Sequence, residues 1–484
     1  MGRRRTIYFN DARHYYLFVF EPPMRLVDAW APVDEVAGTS VDTFVYGVAR
    51  GDGLFYPSTV GQRFGADQPV FRDAPYWRVW ENMQSLIDRG LDPLGVLVDR
   101  AHDRGLDFVA SLRMGGFDGR PSLAVAKGGR GYADPQARDY QMALINELAT
   151  GYPVEGVELD FAAAPAGCSF YLQADDVEAH TSTLTEFVRQ AAERIRHRPG
   201  TPGQVGARVY PSEELNRRAG LDVAAWLDEG LVDYVVPLVY GSMMLDANMP
   251  IAWLIEAAHA RDIAVYGMLQ PYYESATRAN TVVTHASPSM VRAAAANLWD
   301  LGVDGLYTWF MAWPLGERER SMLAEIGDPA SGQGRDRHYF VRRRCPDSAG
   351  HDLSYPLPLE IPAAAASTRY AVPLAVADDP DDDRVQRVRL RLGISNLVSA
   401  DVVAVWLNGT ALQDQPARRD VLSRHTPYEG QWLEIDLRSV RPRRGANRLE
   451  VALVQRPARM AGGVVLQDVE LCVEYGVFPA GRGS

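Results

Sequence analysis

The chain has 484 residues, more than one ordinary domain holds, and its 47% hydrophobic and 23% charged residues are typical of a globular protein. Its 62 acidic and 50 basic residues give a formal net charge of -12, which argues against nucleic acid as a partner. No apolar run approaches the ~18 residues that cross a bilayer, so no membrane partner is expected, and the sequence leaves the oligomeric state open.

The first residues, Met1 to Arg5, are basic, and no apolar segment follows them, so no signal peptide is predicted. This leaves two localisations open, namely a cytoplasmic protein or a secreted one whose signal has been removed. The three cysteines, Cys168, Cys345 and Cys472, lie too far apart for a metal-ligand spacing or a disulfide framework. No histidine cluster or glycine-rich phosphate loop is present, so neither a metal nor a cofactor is expected.

Residues 1–330 alternate between short apolar runs and longer helical patterns. The predicted strands are 6–10, 43–48, 107–113, 156–161, 205–210, 234–240, 263–269 and 305–310. Helices are predicted between most of them, whereas the first connection, 15–41, is predicted to be a loop. Eight strand–helix units indicate an α/β fold, a (β/α)8 TIM barrel, and we expect this domain to be the catalytic one.

A Gly-, Asp- and Ser-rich stretch, 327–337, ends this pattern, and few helical patterns follow it. The strand-like runs beyond it are 385–394, 402–407, 432–437, 448–454 and 464–475. Turn signals such as Asn408-Gly409 separate them. Residues 331–484 are therefore predicted to form a smaller, jelly-roll-like β-sandwich that is either carbohydrate-binding or structural. The acidic run 378–383 is interpreted as a solvated turn, with a calcium site as the alternative.

The fourth predicted strand alternates strictly between apolar and acidic residues, so that Glu158 and Asp160 share one face. Burying carboxylates on a parallel strand is costly unless the site uses them. Asp160 is nearer the carboxyl end of the strand and is the first candidate for a catalytic carboxylate. Glu158 lies one pleat deeper and is either a second catalytic residue or the buried partner of Arg208 on the next strand.

Chemistry in a (β/α)8 barrel takes place at the carboxyl ends of the strands. The candidate substrate-binding residues at these ends are Asn10, Arg113, Tyr210, Tyr240, Gln270, Tyr272, Trp309 and Trp313. Aromatic rings can stack on the C–H faces of a sugar, and the polar groups can bind its hydroxyls. Glycosidic cleavage requires two carboxyl groups, and Glu274, just past the seventh strand, is a further catalytic candidate.

Three segments resemble the glycoside-hydrolase-like group of barrels related to families 10 and 18. Residues 154–161 resemble its "D-G-[IV]-x-x-D" strand, 232–240 resemble its sixth strand, and 301–309 resemble its eighth. The strand and turn order of the second domain resembles that of galactose-binding-like jelly rolls. One position departs from the pattern, because an alignment to the family 18 motif D-x-x-D-x-D-x-E places Ala162 where the acid glutamate stands.

The resemblance and the aromatic, acidic strand ends predict a glycoside hydrolase that cleaves a poly- or oligosaccharide by carboxylate acid/base or nucleophile chemistry. Ala162 keeps open the alternative of a non-catalytic glycan-binding protein on a degenerate hydrolase barrel. A third hypothesis is a lyase for anionic sugars, with Arg113 and Arg208 holding the substrate carboxylate. The sugar, its linkage and the stereochemical outcome remain open.

Overall fold

A computed structural model describes residues 5–11, 16–162, 171–240, 243–274, 284–309, 311–312, 314–344, 353–363, 368–422 and 428–477. Eight parallel strands close into a barrel in which each strand pairs with its neighbour along the chain. They are β1 (Arg5–Asp11), β2 (Thr43–Gly47), β3 (Asp107–Arg113), β4 (Gly156–Asp160), β5 (Gln204–Val209), β6 (Tyr234–Pro237), β7 (Ala264–Leu269) and β10 (Gly305–Trp309). A two-stranded ribbon, β8 (Tyr272–Tyr273) and β9 (Thr284–His285), follows β7. The predicted TIM barrel is confirmed.

Helices surround the barrel. They are α1 (Tyr16–Val19), α2 (Leu26–Asp34), α3 (Ala74–Ile87), α4 (Pro93–Asp103), α5 (Pro135–Gly151), α6 (Val177–Arg196), α7 (Glu213–Arg218), α8 (Val223–Asp228), α9 (Ala252–His259), α10 (Pro288–Leu301) and α11 (Glu317–Ile326). The start of α10 follows a capping rule, since the Ser287 hydroxyl accepts a hydrogen bond from the backbone N–H of Met290. None of the described helices has both the length and the apolar character needed to cross a membrane.

The prediction that residues 15–41 form a loop is wrong, because α1 and α2 lie within them. The α2 helix lacks the usual sequence signals, since Arg25 rather than a short polar residue precedes it and Pro32 lies inside it. The Asp28 side chain accepts a hydrogen bond from the backbone N–H of Arg25 and so caps the first turn. Burial of Ala29 and Val33 on one face then stabilises a helix that local propensity does not favour.

The second domain consists of antiparallel strands in two sheets. Its strands are β11 (Arg337–Phe340), β12 (Leu359–Ile361), β13 (Tyr370–Val376), β14 (Val385–Ser395), β15 (Val402–Leu407), β16 (Thr410–Ala411), β17 (Ala417–Val421), β18 (Gly430–Asp436), β19 (Gly445–Gln455) and β20 (Val464–Tyr475). One sheet has the order β11-β20-β14-β18-β17, with β12 beside β20, and the other has the order β13-β19-β15-β16. The predicted sandwich is confirmed, and Asn408 and Gly409 turn its β15–β16 hairpin with φ of 51° and 83°.

The acidic run 378–383 is only partly solvated. Asp378 is buried and accepts hydrogen bonds from the hydroxyls of Tyr339, at 3.0 Å, and Tyr475, at 2.9 Å, beside an ion pair with Arg337. Burial raises the pKa of Asp378. Within the described ranges, no group of three or more His, Cys, Asp or Glu side chains is arranged to hold a metal ion.

Candidate active site

Glu158 and Asp160 both point into the barrel, because both contact Arg208, a side chain of the neighbouring strand β5. The intervening Leu159 lies on the opposite face of β4, as the alternation of a strand requires, and it is buried in the core outside the barrel bore. The barrel therefore contains charged groups at a level where aliphatic layers are usual. These groups form the centre of the candidate site.

Glu158 lies deep in the bore and is surrounded by donors. Its Oε1 accepts hydrogen bonds from the hydroxyls of Ser111, at 2.8 Å, and Tyr307, at 3.1 Å, and its Oε2 accepts one from Tyr234 at 3.3 Å. The Nε of Arg208 lies 2.9 Å from Oε1. Burial raises the pKa of Glu158, although Arg208 opposes this effect. The arrangement is that of a buried ion pair with satisfied oxygens, the second of the two interpretations of this residue.

Gly206 is the reason that Tyr234 can reach Glu158. The two residues Glu158 and Gly206 are paired in register across β4 and β5. A Cβ atom on Gly206 would lie 2.1 Å from the Cζ atom of Tyr234, so any side chain there would displace the phenol ring. The missing side chain thus creates the space through which the ring of Tyr234 extends to the carboxylate.

Asp160 lies one pleat above Glu158 and shares the same arginine. Its Oδ2 accepts a hydrogen bond from Nη1 of Arg208 at 3.1 Å, and its Oδ1 accepts one from the backbone N–H of Ala162 at 3.2 Å. Burial disfavours the charge of Arg208, but Tyr307, Glu158 and Asp160 outweigh it, and the guanidinium pKa is raised. The Arg208 guanidinium also stacks on Phe9, with its Cζ 3.9 Å from the ring centroid.

A second ion pair lies beside the first. Nη2 of Arg113, on β3, donates to Oδ2 of Asp11, on β1, at 2.8 Å, and both side chains are buried. Gly47, on the intervening strand β2, has no side chain, and a Cβ there would lie 2.9 Å from the Phe9 ring. Burial opposes the charge of Arg113, but Asp11, Tyr240 and Asp160 together raise its pKa.

Aromatic rings form one wall of the cluster. The Tyr240 and Trp309 rings lie 5.4 Å apart between centroids, and Phe9 meets Trp309 edge-on at 4.9 Å. The Arg113 guanidinium carbon lies 5.7 Å from the Tyr240 ring centroid. Tyr240 is half-buried, whereas Trp309 is fully buried, so Tyr240 is the member of this wall that a ligand can approach.

The structure brings together five of the predicted site residues, namely Arg113, Glu158, Asp160, Tyr240 and Trp309. Arg208, which the sequence offered as the partner of Glu158, lies among them, and the structure adds Asp11 and Tyr307. Alternation along β1 is the signal for Asp11, because residues two apart on a strand share a face and Phe9 contacts Arg208 inside the bore. The predicted Asn10 lies on the opposite face of β1 from Asp11, although it is also buried.

The other predicted residues have different surroundings. Tyr210 is buried, and its backbone N–H and C=O bond to the Asn216 side chain. Gln270 donates from Nε2 to the backbone oxygen of Val239 at 2.9 Å. Tyr272 pairs with His285 in the ribbon. Glu274 follows β8, the first strand of this ribbon, and is partly exposed, and Trp313 is outside the described residues.

The loop after β3 contains a further buried carboxyl group, that of Asp118. Its Oδ1 accepts hydrogen bonds from the backbone N–H groups of Gly51, at 2.7 Å, and Gly53, at 2.8 Å. Burial raises the pKa of Asp118 to about 7, despite these two hydrogen bonds. Asp118 therefore connects the loops that follow β2 and β3 at the carboxyl face of the barrel.

No protein-family model matches the sequence, and no curated protein matches it significantly. Solved structures are similar to the chain in fold. The alpha-L-fucosidase isoenzyme 2 from Paenibacillus thiaminolyticus is 13% identical with a TM-score of 0.40, and the match covers 69% of this chain and 50% of the fucosidase. The present chain thus spans about half the length of that protein.

Two further solved structures are similar to about two thirds of this chain. The PgaB (BpsB) glycoside hydrolase domain from Bordetella bronchiseptica is 13% identical with a TM-score of 0.41, and the match covers 68% of this chain and 99% of the domain. GH5_18 from Streptomyces cattleya is 16% identical with a TM-score of 0.40, covering 67% and 80% respectively. At these identities the likeness concerns the fold alone and carries no argument about the reaction or the substrate.

Proposed function

We propose that this protein is a glycoside hydrolase whose reaction centre is the cluster formed by Asp11, Arg113, Asp160 and Arg208. The observation that carries the proposal is the position of two carboxylates, Asp11 and Asp160, at the carboxyl ends of β1 and β4. Active sites of (β/α)8 barrels are located at these strand ends. Two carboxyl groups are also what glycosidic cleavage requires.

The roles follow from the contacts. Asp160 is held between Arg208 and the backbone N–H of Ala162, an arrangement suited to a carboxylate that attacks the anomeric carbon or stabilises positive charge there. Asp11, paired with Arg113 at 2.8 Å, is the proposed second carboxyl group. Glu158 has donors on both oxygens and is proposed as a positioning residue that fixes Arg208 beneath Asp160.

The substrate is proposed to be a carbohydrate that contacts Tyr240 with the face of a sugar ring, because Tyr240 is the half-exposed ring of the aromatic wall.

The lyase hypothesis has less support. Both arginines that it assigns to a substrate carboxylate are already paired, Arg113 with Asp11 and Arg208 with Glu158 and Asp160.

One observation favours a second candidate function, that of a non-catalytic glycan-binding protein. Asp160 is 1% exposed and Arg208 is fully buried, so that substrate access to the cluster requires the covering groups to move. Ala162, at the position of the family 18 acid, is also buried and has no functional group. A barrel of this kind would bind a glycan at its rim without turning it over.

The test is a panel of 4-nitrophenyl glycosides and polysaccharides, assayed for released nitrophenol and for new reducing ends. Asp160→Asn and Asp11→Asn are each expected to lower the rate by about 10²–10⁴-fold, the usual contribution of a catalytic carboxyl group. Asp103→Asn, at a side chain that is 71% exposed, is the matched control and is expected to retain full activity. Unchanged activity in Asp160→Asn would contradict the proposal, and glycan binding without turnover by the wild-type protein would favour the second candidate.

A further inference from the structure

The sandwich contacts the barrel along α10 and reaches the two loops that follow β6 and β7. Asn248, in the loop after β6, donates from Nδ2 to the backbone oxygen of Phe340 at 2.8 Å and accepts at Oδ1 from the backbone N–H of Ala375 at 2.7 Å. Both groups of the amide are therefore bonded to the sandwich, one to β11 and one to β13. Asn297 on α10 bridges the same regions, since its Nδ2 donates to the backbone oxygens of Ala247 and Ala375.

Tyr273, in the segment after β7, makes the second connection. Its hydroxyl donates to Oε1 of Glu470 on β20 at 2.7 Å, and its ring packs edge-on against Phe340 at 5.0 Å between centroids. Glu470 is 3% exposed and also pairs with His338 and Arg391 of the sandwich. Burial opposes the charge of Glu470, but His338 and Arg391 outweigh it and lower its pKa, so the acceptor is a carboxylate.

Backbone hydrogen bonds link these two connections to Tyr240, in the aromatic wall of the candidate site. The backbone N–H of Leu245 donates to the backbone oxygen of Tyr272 at 2.7 Å, so the loop after β6 is bonded to the segment after β7. The N–H of Met243 donates to the oxygen of Tyr240 at 2.9 Å. Tyr240 thus lies in the same loop as Asn248, which is bonded to the sandwich.

We infer that the sandwich positions Tyr240 for substrate binding, through Asn248 and Tyr273, and is a working part of the barrel rim rather than an independent module. This inference rests on the proposed function, because it gives Tyr240 its role in binding the sugar. It makes Asn248 and Tyr273 positioning residues, since neither contacts the charged cluster in the described structure. The expected consequence is a loss in substrate affinity with little change in the chemical step.

The experiment uses the full-length chain with Asn248→Ala and Tyr273→Phe. Asn146→Ala, at an exposed position on α5, and Tyr76→Phe, on α3 and 40% exposed, are the matched controls. Hydrogen exchange is measured in peptides that cover residues 243–249. Both site variants are expected to speed exchange there at least tenfold, while peptides from β14 and the barrel strands exchange as in the wild type. Tyr273→Phe removes one hydroxyl and is expected to fold.

The kinetic readout uses whichever nitrophenyl glycoside the wild-type protein cleaves. Asn248→Ala is expected to raise KM about tenfold or more, to change kcat less than twofold and to leave the pH profile unmoved, and Asn248→Asp, which retains the acceptor, is expected to have a smaller effect. Unchanged exchange in residues 243–249 would overturn the inference, as would a loss confined to kcat. If no glycoside is cleaved, the proposed function fails, whereas the exchange result still decides whether the sandwich holds this loop.

Discussion

Arg208 and Glu158 form an ion pair inside the barrel, with 2.9 Å between Nε and Oε1 and no exposed surface on either side chain. Asp160 binds the same guanidinium from above at 3.1 Å. Two carboxyl groups thus depend on one cation, which has no access to water. Removing this cation, or adding a side chain to a glycine beside the cluster, is therefore expected to lower the stability of the protein.

The first prediction concerns the loss of that cation. Arg208→Met retains much of the side-chain volume but leaves Glu158 and Asp160 buried without their partner, so the free energy of unfolding is expected to fall by about 3–5 kcal/mol. Urea unfolding followed by tryptophan fluorescence measures it. Arg217→Met is the control, because Arg217 is 71% exposed and its pairing with Glu213 contributes less than about 1 kcal/mol. Equal stability of Arg208→Met and the wild type would contradict the prediction.

The second prediction concerns Gly206. Gly206→Ala places a methyl group where the Tyr234 ring lies, and the displaced phenol loses its hydrogen bond to Glu158. We expect a destabilisation of roughly 1–3 kcal/mol, the range for overpacking a core. Gly151→Ala, at the end of α5 with no atom within 4 Å of the added methyl, is expected to change stability by less than about 1 kcal/mol. Thermal unfolding of both variants gives the comparison, and a neutral Gly206→Ala would show that the ring can move without cost.

The third prediction concerns the Asp11–Arg113 pair. Asp11→Asn and Arg113→Met each leave the other member buried with less compensation, and each is expected to destabilise the protein by about 3–5 kcal/mol. The double variant removes both charges, so its loss is expected to be smaller than the sum of the single losses by about 1–3 kcal/mol. Equilibrium unfolding of the wild type, the two single variants and the double variant gives the four free energies of this double-mutant cycle. Strict additivity would mean that the two side chains do not interact.

The fourth prediction concerns pH. The pKa of Asp118 is about 7 in the folded protein and about 4 in the unfolded chain, so between these values the folded state binds more protons. The contribution of Asp118 to stability is therefore full below pH 4 and declines as the pH rises to 7. Asp118→Asn keeps the acceptor for Gly51 and Gly53 without the charge, and it is expected to be more stable than the wild type at pH 8.

Asp118→Asn is also expected to lose this part of the pH dependence. The measurement is urea unfolding at pH 4, 6 and 8, with Asp67→Asn, at an exposed position, as the control. A stability difference between Asp118→Asn and the wild type that stays constant from pH 4 to pH 8 would contradict the raised pKa of Asp118.

The period-two alternation of β4 was sufficient to predict which face contains Glu158 and Asp160, because strand geometry alone determines it. The same rule applied to β1 distinguishes Asp11 from Asn10, and that step is available from the sequence. The pairing of Glu158 with Arg208 on the next strand could also be proposed from the alternation. The three hydroxyl donors to Glu158 could not, because Ser111, Tyr234 and Tyr307 come from three other strands and meet only after the barrel closes. Local patterns contain no information on such contacts.

Two other features of the structure depend on tertiary packing and could not be predicted from the sequence. The α2 helix is stabilised by burial of its apolar face and has weak local signals, so residues 15–41 resemble a loop in sequence. Tyr272 and Tyr273 follow β7 as residues of a barrel mouth would, but Tyr273 instead contacts Glu470, which is 197 positions further along the chain. A sequence pattern that describes the barrel alone cannot show that a residue at its rim is bonded to a second domain.

The hydrogen bond from Tyr307 to Glu158 joins residues that are 149 positions apart, and β1 finds its partner β10 only near the end of the barrel sequence. During synthesis, Glu158 leaves the ribosome 149 residues and Arg208 99 residues before Tyr307 does. The barrel cannot close until β10 pairs with β1, so we expect these charges to stay hydrated until the last strand has been made. A chain that stops before Gly305 is expected to have an open bore with its ionic centre still in water.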